Sequence, residues 1–158
     1  MMRIIAVGKC REKAMRMLIS EYQKRLSPLV KSELLEVADE VAPQSLSAAQ
    51  IVQVKEREGE RILKKIRPSD FVILLDLQGV MLSSEALADK IDRIQTYESG
   101  DMVFVIGGSL GVSEAVRQRA NFRWQLSSLT FPHQLVRVLL YEQIYRAFTI
   151  LHHLPYHK

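Results

Sequence analysis

The sequence predicts an α/β fold, with a mainly parallel sheet and helices on both of its faces. Three observations support this fold class. Apolar, β-branched segments alternate with segments of helical periodicity along the whole chain. The segments 71–75 and 102–106 are apolar at every position, as expected of strands that helices cover on both faces. No repeat, linker or low-complexity segment divides the 158 residues, so residues 1–158 are predicted to form one domain.

The individual elements have local signals at their ends. Gly8 follows the first apolar run, Pro28 follows the first helical pattern, and Ser47 can cap the second helix. Gly79 is predicted to turn the chain after the third strand, and a polar loop containing Pro43 precedes Ser47. The predicted strands are 2–7, 32–38, 71–75, 102–106 and 122–126. The predicted helices are 12–26, 47–66, 84–97, 113–120 and 133–153.

The last predicted helix is apolar around most of its circumference. An amphipathic helix on a protein surface needs only one apolar stripe, so this helix is expected to bury a second face. We therefore expect a homodimer with the helix in a two-fold interface. Glu142 and Arg146 are four residues apart and are expected to form an ion pair on the helix. The apolar positions are Leu135, Val136, Val138, Leu139, Leu140, Ile144, Ala147, Phe148, Ile150 and Leu151.

Positive charge is concentrated in the first part of the chain. Residues 1–67 hold 14 Lys and Arg against 9 Asp and Glu, whereas residues 68–158 hold 8 against 9. A basic face on an otherwise neutral domain indicates a polyanionic partner such as nucleic acid. The alternative is a solvated helix face with no partner.

The composition of the chain also indicates in which cellular compartment the protein is found. No apolar run approaches the roughly 18 residues of a membrane span, and the apolar stretch at the N-terminus is too short for a signal peptide. Cys10 is the single cysteine and is interpreted as a small buried thiol rather than a redox group. These features predict a cytoplasmic protein with no membrane partner.

Two loops in the last third of the chain are the candidate ligand-binding segments. Gly107, Gly108 and Gly111 follow a predicted strand, but their spacing fits neither a dinucleotide-binding loop nor a P-loop. Taken alone, these glycines would form a tight turn more often than a binding site. The segment 126–131 follows the next strand and interleaves Ser and Thr with apolar residues. If the two loops leave neighbouring strand ends, together they form a plausible purine pocket.

All four histidines of the chain lie in its C-terminal region. His133 starts a helix, where a capping role is the expectation, and His152 and His153 lie at the helix end, where the dipole favours cations. The tail 156–158 has the sequence Tyr-His-Lys after a proline, which favours a functional role. Metal-ligand spacings such as H-E-x-x-H or paired C-x-x-C are absent from the sequence, so no metal is predicted.

Together these segments resemble the RlmH family of SPOUT-superfamily methyltransferases over essentially the whole chain. The resemblance implies a C-terminal trefoil knot, a homodimer and S-adenosyl-L-methionine as the methyl donor. It also implies methylation of N3 of a pseudouridine in 23S rRNA within the assembled ribosome. The segments that carry the resemblance are 4–9, 103–109, 126–134, 142–147 and 155–158. The residues that it places in the cofactor pocket are Leu75, Gly107, Leu126, Ser127, Ser128, Leu129, Thr130 and Phe131.

The resemblance also implies catalytic and RNA-binding roles. Tyr156 and His157 would lie near the target base, where a neutral His157, or a water held by both, could accept the N3 proton. Lys158 and Arg137 could hold phosphates or stabilise a developing base anion. The exposed cations expected to attract rRNA are Arg11, Lys13 and Arg16.

Two other functions remain compatible with the residues. A non-enzymatic ribosome-binding factor would keep the fold and the basic face without an intact purine pocket, so cofactor binding separates it from an enzyme. A flavodoxin-like nucleotide-binding enzyme acting on a small metabolite would be indifferent to RNA.

Overall fold

The computed structural model describes residues 1–41 and 44–158, and within them five strands alternate with five helices, as predicted. Ala42 and Pro43, in the predicted polar loop, lie outside the described residues. The strands are β1 Met2–Val7, β2 Ser32–Val37, β3 Phe71–Met81, β4 Met102–Ile106 and β5 Phe122–Gln125. The helices are α1 Lys13–Leu26, α2 Ala48–Leu63, α3 Ser84–Tyr97, α4 Glu114–Arg119 and α5 His133–Leu151.

The strands form one sheet in the order β2-β1-β4-β3-β5, and every described pairing is parallel. The predicted parallel sheet is therefore confirmed. Every residue of β1 and β4 is buried, because both strands are central and helices cover both faces of the sheet.

Strand β3 is longer than predicted. Gly79 was expected to turn the chain, but β3 continues to Met81. The pairing register shifts between Leu75 and Val80, which both pair with Trp124 of β5, so residues 76–79 bulge out of the ladder. A Cβ atom on Gly79 would stand 2.6 Å from the backbone carbonyl carbon of Arg123, so a glycine is required for this close approach. Pairing with β5 therefore outweighs the tendency of Gly79 to form a turn.

The helices divide into two layers. Helices α1, α3 and α5 cover one face of the sheet, where Ile19, Ile91 and Ile144 belong to one buried cluster. Helices α2 and α4 cover the other face through Ile62 and Val116. Helices on both faces are thus confirmed. The capping box at Ser47 is present, since its side chain accepts from the backbone N–H of Gln50 and the side chain of Gln50 accepts from the backbone N–H of Ser47.

Helix α5 buries much of its apolar surface within one chain. It packs between α1 and α3, and Val138, Tyr141, Ile144 and Phe148 are buried there. Leu135, Val136, Leu139, Ile150 and Leu151 remain half-buried. The apolar circumference of α5 is therefore explained largely by the fold of one chain, and it is a weaker argument for a dimer than the sequence suggested.

Candidate active site

A cavity of about 430 Å³ lies at the carboxyl ends of β3, β4 and β5. The glycine loop after β4 and the hydroxyl-rich loop after β5 both line it. They do not leave neighbouring strands as predicted, because β3 lies between β4 and β5 in the sheet. The bulged part of β3 therefore supplies a third wall through Leu75, Asp76, Leu77 and Gln78.

Most of the residues predicted to bind the cofactor meet at this cavity. Ser128 is the exception, since it is not among the described residues that line the cavity. The seven predicted residues that do line it are Leu75, Gly107, Leu126, Ser127, Leu129, Thr130 and Phe131. Ser127 fixes the shape of its loop, because its hydroxyl oxygen accepts a hydrogen bond from the backbone N–H of Leu129 at 3.0 Å.

The glycine loop is both a tight turn and a wall of the cavity. The backbone N–H of Gly111 donates to the carbonyl oxygen of Gly108 at 3.0 Å, and the φ of Gly111 is 92°. A Cβ atom on Gly107 would stand 2.6 Å from Cγ1 of Val112. The loop therefore presents its backbone to the cavity, as a site for close ligand approach requires.

Three residues with ionisable side chains line the cavity but were not predicted as site residues: Asp76, Arg117 and His133. The expected capping role of His133 is wrong, because Pro132 occupies the N-cap and no side-chain capping bond forms among the described residues. Asp76 directly follows an apolar strand, which is a signal that sequence reasoning could have used. Arg117 has no comparable local signal, since its place in the cavity depends on how α4 packs.

The C-terminal tail folds back onto α5. The hydroxyl of Tyr156 donates to Oε1 of Glu142 at 3.2 Å, and its ring packs edge-on against Tyr145 with centroids 4.8 Å apart. The predicted ion pair between Glu142 and Arg146 is confirmed, with nitrogen–oxygen distances of 2.9 and 2.6 Å. We call Glu85, Glu142, Arg146, Tyr156 and His157 the tail cluster.

Both ring nitrogens of His157 have partners in the tail cluster. Nδ1 lies 3.2 Å from Nη1 of Arg146, and Nε2 lies 2.7 Å from Oε1 of Glu85. A guanidinium can only donate, so Nδ1 is the acceptor and Nε2 carries the proton that is donated to Glu85. The hydrogen bond from His157 lowers the pKa of Glu85. The lone pair of His157 is therefore engaged by Arg146 in this arrangement.

Tyr156 is a hydrogen-bond donor at neutral pH. Burial, followed by hydrogen bonding with Tyr22 and the negative charge of Glu142, raises the pKa of Tyr156 to about 12. The phenol consequently stays protonated and cannot itself accept a proton from a substrate.

The described part of one chain keeps the tail cluster and the cavity apart. Val136 of α5 lines the cavity, whereas Arg146 lies ten residues further along the helix. At 1.5 Å per residue this separation is about 15 Å along the helix axis. A reaction that uses both features needs a second copy or a large rearrangement.

The predicted RNA-binding residues divide into two groups. Arg11, Lys13, Arg16 and Lys158 are exposed. The segment that contains Arg11, Lys13 and Arg16 starts near the cavity. The backbone N–H of Glu12 in this segment donates to the side chain of Gln134 at 3.2 Å, and Gln134 follows the cavity residue His133. The basic segment and the cavity therefore lie at the same edge of the sheet.

The role predicted for Arg137 is corrected by its position. Arg137 is buried, and its guanidinium donates to Glu36 at 2.6 Å and to the carbonyl oxygens of Val7 and Gly8 at 2.9 and 2.8 Å. It joins α5 to β1 and β2 and presents no surface to RNA. Residue type alone does not separate such a buried arginine from an exposed one.

Within 1–41 and 44–158, no group of three or more His, Cys, Asp or Glu is arranged to hold a metal ion. In the same ranges, no helix is both long and apolar enough to span a membrane. Cys10 is buried, as predicted.

A family model identifies the class of protein to which the chain belongs. Residues 1–157 match the model of a family described as predicted SPOUT methyltransferase, so the chain belongs to the SPOUT methyltransferase family. Members of this family generally use S-adenosylmethionine. Among solved structures, the chain is similar to tRNA (m1G37) methyltransferase from Aquifex aeolicus, with 16% identity and a TM-score of 0.48. That match covers 92% of this chain and 69% of the other.

Proposed function

We propose that the protein is an S-adenosylmethionine-dependent methyltransferase of the RlmH type, which methylates N3 of a pseudouridine in 23S rRNA of the assembled ribosome. The observation that carries the proposal is the cavity, where three distant segments of the sequence converge with seven of the eight residues that the resemblance implies. The substrate would place the protein in the cytoplasm.

The cavity residues suit this cofactor. Leu75, Ile106 and Leu126 supply apolar contacts for an adenine, and the loops around Gly107 and Ser127 supply backbone hydrogen-bonding groups and hydroxyls. The volume of about 430 Å³ lies within the range of small-ligand sites. The bound cofactor supplies a methyl group already activated by its sulfonium. The chain must then orient the base and remove its N3 proton.

The separation of the tail cluster from the cavity supports a homodimer in which the tail of one copy completes the cavity of the other. Apolar side chains are exposed beside both features. Leu77 and Leu129 in the cavity lining are 66% and 67% exposed, and Leu154 before the tail is also exposed. A trefoil knot formed by the C-terminal segments belongs to the same proposal.

In this proposal the tail cluster handles the N3 proton. His157 accepts it at Nδ1 after Arg146 moves toward the negative charge of the RNA backbone or of the developing base anion. Tyr156 remains protonated and holds Glu142, which keeps the cluster in place. Lys158, together with Arg11, Lys13 and Arg16, attracts the ribosomal RNA.

The test is the transfer of labelled methyl from S-adenosylmethionine to ribosomes that lack this modification, with protein-free 23S rRNA alongside. Label on one uridine-derived position, in ribosomes only, is the expected result. Label on neither substrate, despite cofactor binding, would remove the substrate assignment. Absence of cofactor binding would favour a non-enzymatic ribosome-binding factor.

A further inference from the structure

We propose that Asp76 and Arg117 form the subsite for the charged amino-acid end of the cofactor, with Asp76 facing its ammonium and Arg117 its carboxylate. This inference rests on the proposed use of S-adenosylmethionine and assigns one part of the cavity to one part of that molecule. Neither residue was among those that the sequence placed in the site.

The charge distribution of the cavity is the first observation. Among the described lining residues, Asp76 is the one carboxylate and Arg117 the one guanidinium. With the exception of His133, the rest of the lining is apolar, hydroxyl-bearing, amide or glycine. The cavity is therefore neutral over most of its wall and has one negative and one positive group side by side. A ligand that combines an uncharged nucleoside with a zwitterion matches this pattern.

The unsatisfied hydrogen-bonding groups are the second observation. The side chain of Asp76 is only 6% exposed, and its Oδ1 accepts from the backbone N–H of Gln78 at 2.9 Å, which stabilises the bulge of β3. Its Oδ2 lies 3.5 Å from Nε of Arg117 and 3.6 Å from Nη1 of Arg123. Among the described residues, neither Asp76 Oδ2 nor Arg117 Nε makes a hydrogen bond. Buried groups in that state require an explanation, and a bound ligand is one.

The position of Arg117 makes it accessible to a ligand. Its side chain is 32% exposed, and its Nη1 lies 3.6 Å from the exposed carboxylate of Glu114. Asp76 and Glu114 therefore lie on two sides of the guanidinium, and Arg117 is one of the residues that line the cavity. A carboxylate is a suitable acceptor for a guanidinium because both are planar and can pair through two hydrogen bonds.

A ribose diol is a less suitable occupant of this subsite. A diol is uncharged, so it would bring no opposite charge to the carboxylate or to the guanidinium. An α-amino acid brings a cationic donor and an anionic acceptor, one for each group. A phosphate of RNA would match Arg117 but would be repelled by Asp76.

The experiment compares two ligands by isothermal titration calorimetry. S-adenosylhomocysteine carries the amino-acid end, whereas 5′-methylthioadenosine is the same thioether nucleoside without it. The variants are Asp76→Asn and Arg117→Gln. The matched control is Arg123→Gln, because Arg123 lies as near to Asp76 as Arg117 does but is not among the described cavity-lining residues. Thermal unfolding of each variant verifies that it is folded.

For both site variants we expect the affinity for S-adenosylhomocysteine to fall about tenfold or more, as for the loss of a charged hydrogen bond, with affinity for 5′-methylthioadenosine kept within about twofold. Arg123→Gln should leave both affinities within about twofold, since Arg123 is not among the described residues that line the cavity. The proposal is therefore tested by the ratio of the affinity for S-adenosylhomocysteine to the affinity for 5′-methylthioadenosine.

Three results would overturn the proposal. An equal loss for both ligands would mean that the pair only supports the wall of the cavity. Unchanged affinity for both ligands, with weaker ribosome binding by Arg117→Gln, would assign Arg117 to RNA. If the unmodified protein binds neither ligand, the proposed function fails first and takes this subsite with it. Failure of the proposed function can be distinguished from failure of the subsite alone, because it is seen with the unmodified protein and does not depend on any variant.

Discussion

The two ends of α5 lie in different chemical surroundings. At its N-terminal end, His133 and Val136 line a cavity made mainly of backbone, hydroxyls and apolar side chains. At its C-terminal end, Arg146 joins carboxylates, a phenol and an imidazole in the tail cluster. The first arrangement selects a ligand by shape, and the second can hold and transfer protons. If the cavity binds the cofactor and the tail cluster handles the proton, as proposed, variants at the two ends of α5 should fail differently, one group in ligand affinity and the other in the rate of methyl transfer.

The largest expected effect comes from the tail cluster. His157→Ala should lower methyl transfer about 10²–10⁴-fold, because it removes the proton acceptor. Affinity for S-adenosylhomocysteine should not change, since His157 is remote from the cavity in one chain. Single-turnover transfer and calorimetry measure the two quantities. Transfer at the unmodified rate would eliminate His157 as the acceptor.

The next prediction concerns the cavity. Gly107→Val should weaken binding of S-adenosylhomocysteine about 10–100-fold, because its side chain would collide with Val112 and the loop would move. Ser128→Ala is the control, as it lies in the neighbouring loop but not in the cavity lining described here, and should bind normally. Calorimetry on both variants provides the comparison, and equal binding by the two would contradict the assigned geometry.

Mixing these two variants, at a cofactor concentration too low to load the Gly107→Val cavity, tests whether the two ends of α5 cooperate between copies. If a tail completes the cavity of the partner, mixed dimers of Gly107→Val and His157→Ala contain one intact site each. Activity should then return to about one quarter of the unmodified level under random pairing. Continued inactivity in mixtures shown to exchange subunits would mean that each chain uses its own tail.

A smaller effect is expected from the basic segment. Reversing Arg11, Lys13 and Arg16 to Glu should weaken ribosome binding about tenfold at low salt and reduce the salt dependence. The cofactor affinity should be unchanged. Arg57→Glu is the control, because Arg57 is an exposed arginine on α2, on the other face of the sheet. A loss of binding free energy from Arg57→Glu that is about one third of the loss from the triple variant, in proportion to the change in charge, would point to net charge rather than to a specific surface.

The smallest effect is on stability. Burial raises the pKa of Glu58, whose carboxylate lies beside Gly108 and accepts from the backbone N–H of Glu40 at 3.0 Å. Because the folded state holds this proton more tightly, the stability it contributes is greatest below pH 4.5 and falls as pH rises through the raised pKa. Glu58→Gln should therefore unfold at a higher temperature than the unmodified protein at pH 7. The difference should disappear in acid, which calorimetric scans across pH would show.

The amino-acid sequence is sufficient to predict those features of the structure that depend on local chemistry. Alternating apolar and helical segments located every strand and helix, and the hydroxyl-rich loop after Gln125 was identified by its composition. Long-range pairing could not be predicted in the same way. The position of β3 between β4 and β5, and its continuation past Gly79, depend on a partner strand some fifty residues away. Arg137 shows the same limit, since only packing reveals that its charge is buried.

The contacts of Arg137 have a consequence for the timing of folding. Its guanidinium binds carbonyl oxygens of Val7 and Gly8, 130 and 129 residues earlier in the chain. Contacts of such sequence separation form slowly, because a long loop must close before they contribute. The start of α5, which lines the cavity, is fixed by this contact together with the hydrogen bond from the backbone N–H of Glu12 to the side chain of Gln134. A chain still being synthesised therefore has no competent cavity until α5 has emerged, and methyl-donor binding should report the final step of folding.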